Sequence, residues 1–231
     1  MSGSGNDSSN GDEIPAWKRR TAGESRWAAT AAMVGIIVLQ LMLPHHFQLR
    51  PIWLLPLLEV LLLIVLVVSS PVRLDREEIW LRWCGLAMSA LLGIATAWSV
   101  FRLVAGLIDG TLSNDPPVLL GSGAAIWLTN VTVFALWYWE LDRGGPAARA
   151  HAREPLPDFL FVQMQNRDLA PADWEPEFLD YLYLSFTNAT AFSPTDVMPM
   201  TRWAKTLMMA ESALSLITAA LVIARAVNVL K

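Results

Sequence analysis

Two groups of side chains in this chain of 231 residues stand where polar chemistry is unusual. The first is a crowd of oxygens, Thr187, Asn188, Thr190, Ser193, Thr195 and Asp196, at the end of an apolar run. Hydroxyl and carbonyl oxygens at the C-terminal end of a helix, where peptide dipoles leave partial negative charge, suit a cation. Phe192 lies among them as a candidate hydrophobic constriction. Ser193-Pro194-Thr195-Asp196 also has a plainer reading as turn and helix-start chemistry, with Asp196 satisfying backbone amides.

The second group is Glu59, Arg102 and Glu211, charges placed inside long apolar runs, where an ionisable side chain is expensive and points to a function by default. Glu59 and Arg102 fall at similar depth and are expected to pair, as a transport device or as a structural ion pair, the alternative being a snorkelling Arg102 with Glu59 protonated. Glu211, about two turns into the last run, either draws cations into a pore or finds a hydrogen bond on a neighbouring helix.

The elements that must position these groups are apolar runs near residues 27–43, 52–68, 79–108, 118–141 and 203–230, each of membrane-span character. Hydrophobic residues make up 54% of the chain, and tryptophans cluster at run ends (Trp27, Trp53, Trp80, Trp137, Trp139, Trp203), as interfacial belts require. The expected fold is an all-α integral membrane protein with five transmembrane helices and one re-entrant pore-type helix before the last span. Residues 1–16 read as a disordered tail, 17–141 as a four-helix transmembrane region, and 142–172 as an interfacial loop. Residues 173–231 hold the re-entrant helix, the filter-like turn and the last span.

The re-entrant helix is argued from its start. Asp173 caps, Pro176 fits the first turn, and Glu175 and Glu177 place negative charge where the dipole favours it. Phe178, Leu182 and Phe186, with Leu179 and Tyr183 beside them, give one apolar face. Within the third run, Gly85, Ser89, Gly93 and Ala97 recur every four residues, a stripe that lets another helix approach closely, from this chain or from a second copy.

The net charge of −4 comes from tails and connectors, and no basic patch points to nucleic acid. Cys84 is the only cysteine, which excludes an intramolecular disulfide. The acidic, Gly/Ser-rich N-terminus does not look like a cleaved leader. His45, His46 and His151 draw no metal cluster, and no phosphate-cradling loop or nucleophile-base constellation is visible, so neither a cofactor nor an enzyme is expected. Lys18, Arg19, Arg20, Arg26, Arg73, Arg76 and Arg82 fall on one side of the crossings and Arg50 and Lys231 on the other, which places the N-terminus in the cytoplasm of a cell-membrane protein.

From Asp173 to Lys205 the chain resembles the pore module of potassium channels, with Asp196, Pro199, Thr201, Trp203 and Lys205 in that family's order and spacing after the filter. Ala191, Phe192, Ser193, Pro194 and Thr195 stand where the family has Thr-Val-Gly-Tyr-Gly. The same stretch, with Ala226-Val227-Asn228, is also similar to a family of bacterial five-span membrane proteins of unknown function. The first resemblance implies a homo-oligomer, four copies around a shared axis, passing monovalent cations through a filter that lacks the family's glycines. In that family the filter faces outward, opposite to the orientation the charge bias gives here. The alternatives are a non-conducting accessory protein that keeps the module as a packing motif, or a small carrier working through Glu59 and Arg102.

Overall fold

The computed structural model describes residues 14–70, 73–74, 78–111, 115–190 and 196–229. It is mostly helical, at 73%. The α-helices are α1 (Trp27–Met42), α2 (Leu54–Ser69), α3 (Ile79–Ile108), α4 (Pro116–Leu141), α5 (Pro146–Ala150), α6 (Val162–Gln165), α7 (Phe178–Thr190) and α8 (Arg202–Val229). Strands β1 (Phe159–Leu160) and β2 (Met198–Pro199) pair antiparallel, Phe159 opposite Pro199 and Leu160 opposite Met198.

Three stretches are long and apolar enough to cross a membrane: Ile79–Ile108, Pro117–Gly144 and Arg202–Val227. α1 and α2 are apolar but only 16 residues each. That length rises about 24 Å, against a hydrocarbon layer of about 30 Å.

α4 lies at the centre and packs against α1, α3, α7 and α8. It opens on Pro116 and Pro117, where a missing N–H costs nothing. It is closed by Arg143, Gly144 and Gly145, with φ of 51°, 81° and 96°. A side chain at Gly145 would also meet the Glu140 carbonyl oxygen at 2.9 Å, so this turn needs glycine.

The bundle has two ends. At the first, α4 finishes while α7 and α8 begin, and aromatic rings meet edge-on: Tyr138 and Phe159 at 5.1 Å, Phe159 and Trp203 at 5.6 Å. Arg26 before α1 donates to the Ser70 carbonyl after α2 there, at 3.0 Å. At the second end Leu43, Phe47, Leu103, Leu107, Leu119 and Val222 form a separate apolar cluster.

α7 runs back along α4 from the first end, with Tyr181 bonded to Asp142 and the Phe186 ring 5.9 Å from Trp127. Its 13 residues rise about 20 Å, too little to cross. By Met198 the chain is again beside β1 at the first end.

Two expectations about α7 need correction. The helix starts at Phe178 and not near Asp173, because the Phe178 N–H is met by the Glu24 carboxylate, at 2.9 Å, and not by a local cap. Its buried face is Phe178, Tyr181, Leu184, Ser185 and Ala189, while Leu179, Tyr183 and Phe186 of the expected apolar face are exposed. Polar side chains turn inward for hydrogen bonds, which apolar surroundings cannot supply. Within the stretch 142–172, Asp142, Arg143, Arg149, Phe159, Phe161 and Met164 are buried.

Candidate functional site

Of the filter-like positions, Phe192, Ser193 and Thr195 lie outside the described residues. Thr190 spends its hydroxyl on its own helix, 3.1 Å from the carbonyls of Phe186 and Thr187. Asp196 is exposed on the Asp180 side of the turn.

Glu59 and Arg102 are not brought together. Arg102 is exposed and its Nε donates to the His46 carbonyl at 3.1 Å. Glu59 is fully buried between helices, faces Gln40 of α1, and has no hydrogen bond of good geometry at either carboxylate oxygen. Sequence depth alone placed them as partners; in the structure Glu59 turns to Gln40 of α1, while Arg102 turns to the His46 carbonyl. Burial, then the nearby Arg102 charge, holds the His46 imidazole below its usual range.

Glu211 is where the buried polar groups converge. It is 0% exposed. Its Oε2 accepts from the Tyr138 hydroxyl of α4 and from Asn188 Nδ2 of α7, each at 2.6 Å. The Ser185 hydroxyl contacts Oε1 and also lies 2.6 Å from the Val131 carbonyl oxygen. Asn188 is held in turn, its Nδ2 donating to the Met208 carbonyl at 2.9 Å and its Oδ1 accepting from Ser212 at 3.1 Å. Farther along α8, Ser215 accepts from Asn130 of α4 at 3.2 Å. These bonds lock α7 between α4 and α8, with Glu211 about 14 Å along α8.

A second polar layer closes the first end. Glu24 and Arg149 form a buried ion pair at 3.1 Å, and Glu24 also accepts from the Trp139 indole and the Phe178 backbone N–H. Burial pushes the Glu24 carboxyl above its usual range, while Arg149, Trp139 and Phe178 draw it back. Asp142 accepts the Tyr181 hydroxyl at 2.6 Å and the N–H groups of Asp158 and Phe159 at 3.0 and 3.3 Å. Asp158 takes the Trp203 indole N–H at 3.0 Å, which fixes the start of α8.

Beside this layer a cavity of about 360 Å³ opens between α1, α2, α3 and α4, lined by Arg26, Arg82 and Glu140 above Met33, Leu66 and Leu81. Gly85 makes room for the Glu140 carboxylate, since a Cβ there would stand 2.9 Å from Oε1. Gly93 likewise admits the Trp137 ring, whose Nε1 donates to the Ser89 carbonyl at 2.9 Å. The small-residue stripe thus seats α4 of the same chain at Gly85, Ser89 and Gly93, and leaves Ala97 exposed.

Sequence reading found Glu211, and Asn188 only as one of the filter-side oxygens, but missed Tyr138, Ser185, Glu24, Arg149 and Asp142. A signal was present: Tyr181, Ser185 and Asn188, and Glu211, Ser215 and Thr218, recur at helical spacing and mark one polar face on each of two apolar helices. Glu24 and Arg149 carried no such pattern, being 125 residues apart.

Fold and site define a helical protein with three apolar helices of membrane length and a short helix seated among them by buried polar groups. Comparisons with protein-family models, curated proteins and solved structures find no match.

Proposed function

We propose that the chain is a five-span integral membrane protein of the cell membrane in which α7 is a re-entrant helix, and that a homo-oligomer, a tetramer by the pore-module resemblance, forms a monovalent-cation pathway past the α7 tip. The observation that carries this reading is the placement of α7, β2 and the start of α8 relative to one another. α7 is too short to cross, and the chain rejoins β1 at the end where α7 began before α8 sets out. Helix, return and membrane-length helix in that order are the parts of a pore loop. α1 and α2 serve as the first two spans, with side chains such as Leu57, Leu61, Ile64 and Val68 exposed to lipid. The basic N-terminal segment and Arg82 put the first end in the cytoplasm.

Reconstituted protein tests it. The reading expects potassium or sodium flux into liposomes, altered by Phe192→Ala, from a particle whose detergent-corrected mass is a multiple of the chain. Absence of flux into liposomes, with a protein that stays monomeric in lipid nanodiscs, sinks it.

A second reading, a non-conducting accessory protein, is favoured by one observation. The polar residues of α8, Glu211, Ser215 and Thr218, face inward, and the exposed face is Met209, Ala213, Leu216, Ile217, Ala220 and Ile223. The carrier reading loses its basis with the separation of Glu59 and Arg102.

A further inference from the structure

We infer that Glu211 holds a proton in the folded protein, so that Glu211, Ser185 and the Val131 carbonyl form a proton-binding site inside the bundle. The ground is a count of hydrogens. The Ser185 oxygen lies 2.6 Å from the Val131 carbonyl oxygen and also contacts Glu211 Oε1. A backbone carbonyl can only accept, and two oxygens 2.6 Å apart repel unless a hydrogen lies between them. The one hydroxyl hydrogen of Ser185 is therefore used on Val131. The contact between Ser185 and Glu211 then needs a hydrogen of its own, and only the carboxyl can supply it.

The other carboxyl oxygen agrees. Oε2 accepts two donors, the Tyr138 hydroxyl and the Asn188 amide, as the carbonyl oxygen of a neutral acid does. The Asn188 orientation is fixed, because Met208 offers its amide only a carbonyl, which the Nδ2 side alone can meet. The groups bonded to Glu211 are thus Tyr138 from α4 and Ser185 and Asn188 from α7, all neutral, and among the described residues no lysine or arginine forms an ion pair with it. A bare carboxylate with no cation beside it is costly in such a place.

The proton's departure balances simply. It leaves Oε1 for solvent water, as hydronium, and Glu211 is left as a carboxylate; Ser185 turns its O–H from Val131 to that carboxylate, and the Val131 carbonyl loses its extra donor. Proton occupancy at Glu211 and the seating of α7 on α4 are thereby linked, since the bond released is an α7-to-α4 bond. The site stands whether or not the chain conducts. If it does conduct, the proton is an ion that binds in the bundle beside the re-entrant helix.

The test is an infrared difference spectrum in lipid nanodiscs near neutral pH, wild type minus Glu211→Gln. The subtraction cancels the other buried acids, Glu24, Glu59, Glu140 and Asp142. The expected result is a band in the carbonyl-stretch region of a protonated carboxylic acid. A carboxylate stretch in its place overturns the proposal. Should Glu211→Gln not fold, Ser185→Ala carries the test: removing the acceptor of the Glu211 proton shifts the acid band to higher frequency, and a spectrum unchanged in that region overturns the proposal.

Discussion

Trp137 occupies the space a side chain on Gly93 would take: a Cβ built there lies 2.3 Å from the indole Cζ2. The ring is fixed from its other edge by Nε1, bonded to the Ser89 carbonyl, so it has little freedom to retreat. Gly93→Ala is expected to destabilise the protein by about 1–3 kcal/mol, the range of overpacked cores. At exposed Ala97, the next position of the same stripe, Ala97→Ser is expected to stay within about 0.5 kcal/mol. Reversible unfolding in mixed micelles measures both, and equal losses at the two positions contradict the packing.

The sidedness of α7 is open to labelling. In a Cys84→Ala background, Lys18→Cys, Asp173→Cys and Met200→Cys are all exposed near the first end, and Asp109→Cys is exposed at the second. A maleimide that cannot cross membranes is expected to reach the first three from one side and Asp109→Cys from the other. Labelling of Asp173→Cys and Met200→Cys from opposite sides rules out a re-entrant helix.

Arg149→Met leaves Glu24 buried without its cation and is expected to cost about 3–5 kcal/mol. The double variant Glu24→Gln, Arg149→Met is expected to recover part of that loss, because neither charge is then stranded. Additive losses in the unfolding cycle refute an energetic link between them.

Glu59 and Arg102, being apart, are expected to behave independently. Their double-variant cycle should close within about 0.5 kcal/mol. Glu59→Met should be neutral or stabilising, since neither carboxylate oxygen has a well-formed hydrogen bond to lose.

Helix existence was legible because hydrophobicity in long runs depends on composition alone: α3 covers Ile79–Ile108, as its sequence pattern predicts. The Gly85, Ser89, Gly93 stripe was legible too, because close approach has few chemical solutions. Which way α7 faces was not. Amphipathic spacing put Phe186 inside; the structure leaves it exposed and buries Ser185. Nor could spacing reveal that Asp142 and Glu24, from opposite parts of the chain, both terminate on α7, through Tyr181 and Phe178.

The bond from Phe178 N–H to Glu24 joins residues 154 apart, and it bears on how the protein is made. Glu24 leaves the ribosome before any of the helices α1 to α4, yet its partner helix is synthesised only after all of them. Until then the carboxylate must wait in water or against the headgroups. Contacts of such long sequence separation form late. Seating of α7 on Glu24 therefore waits until α1 to α4 have been made, and chains truncated before Phe178 are expected to leave the N-terminal segment undocked.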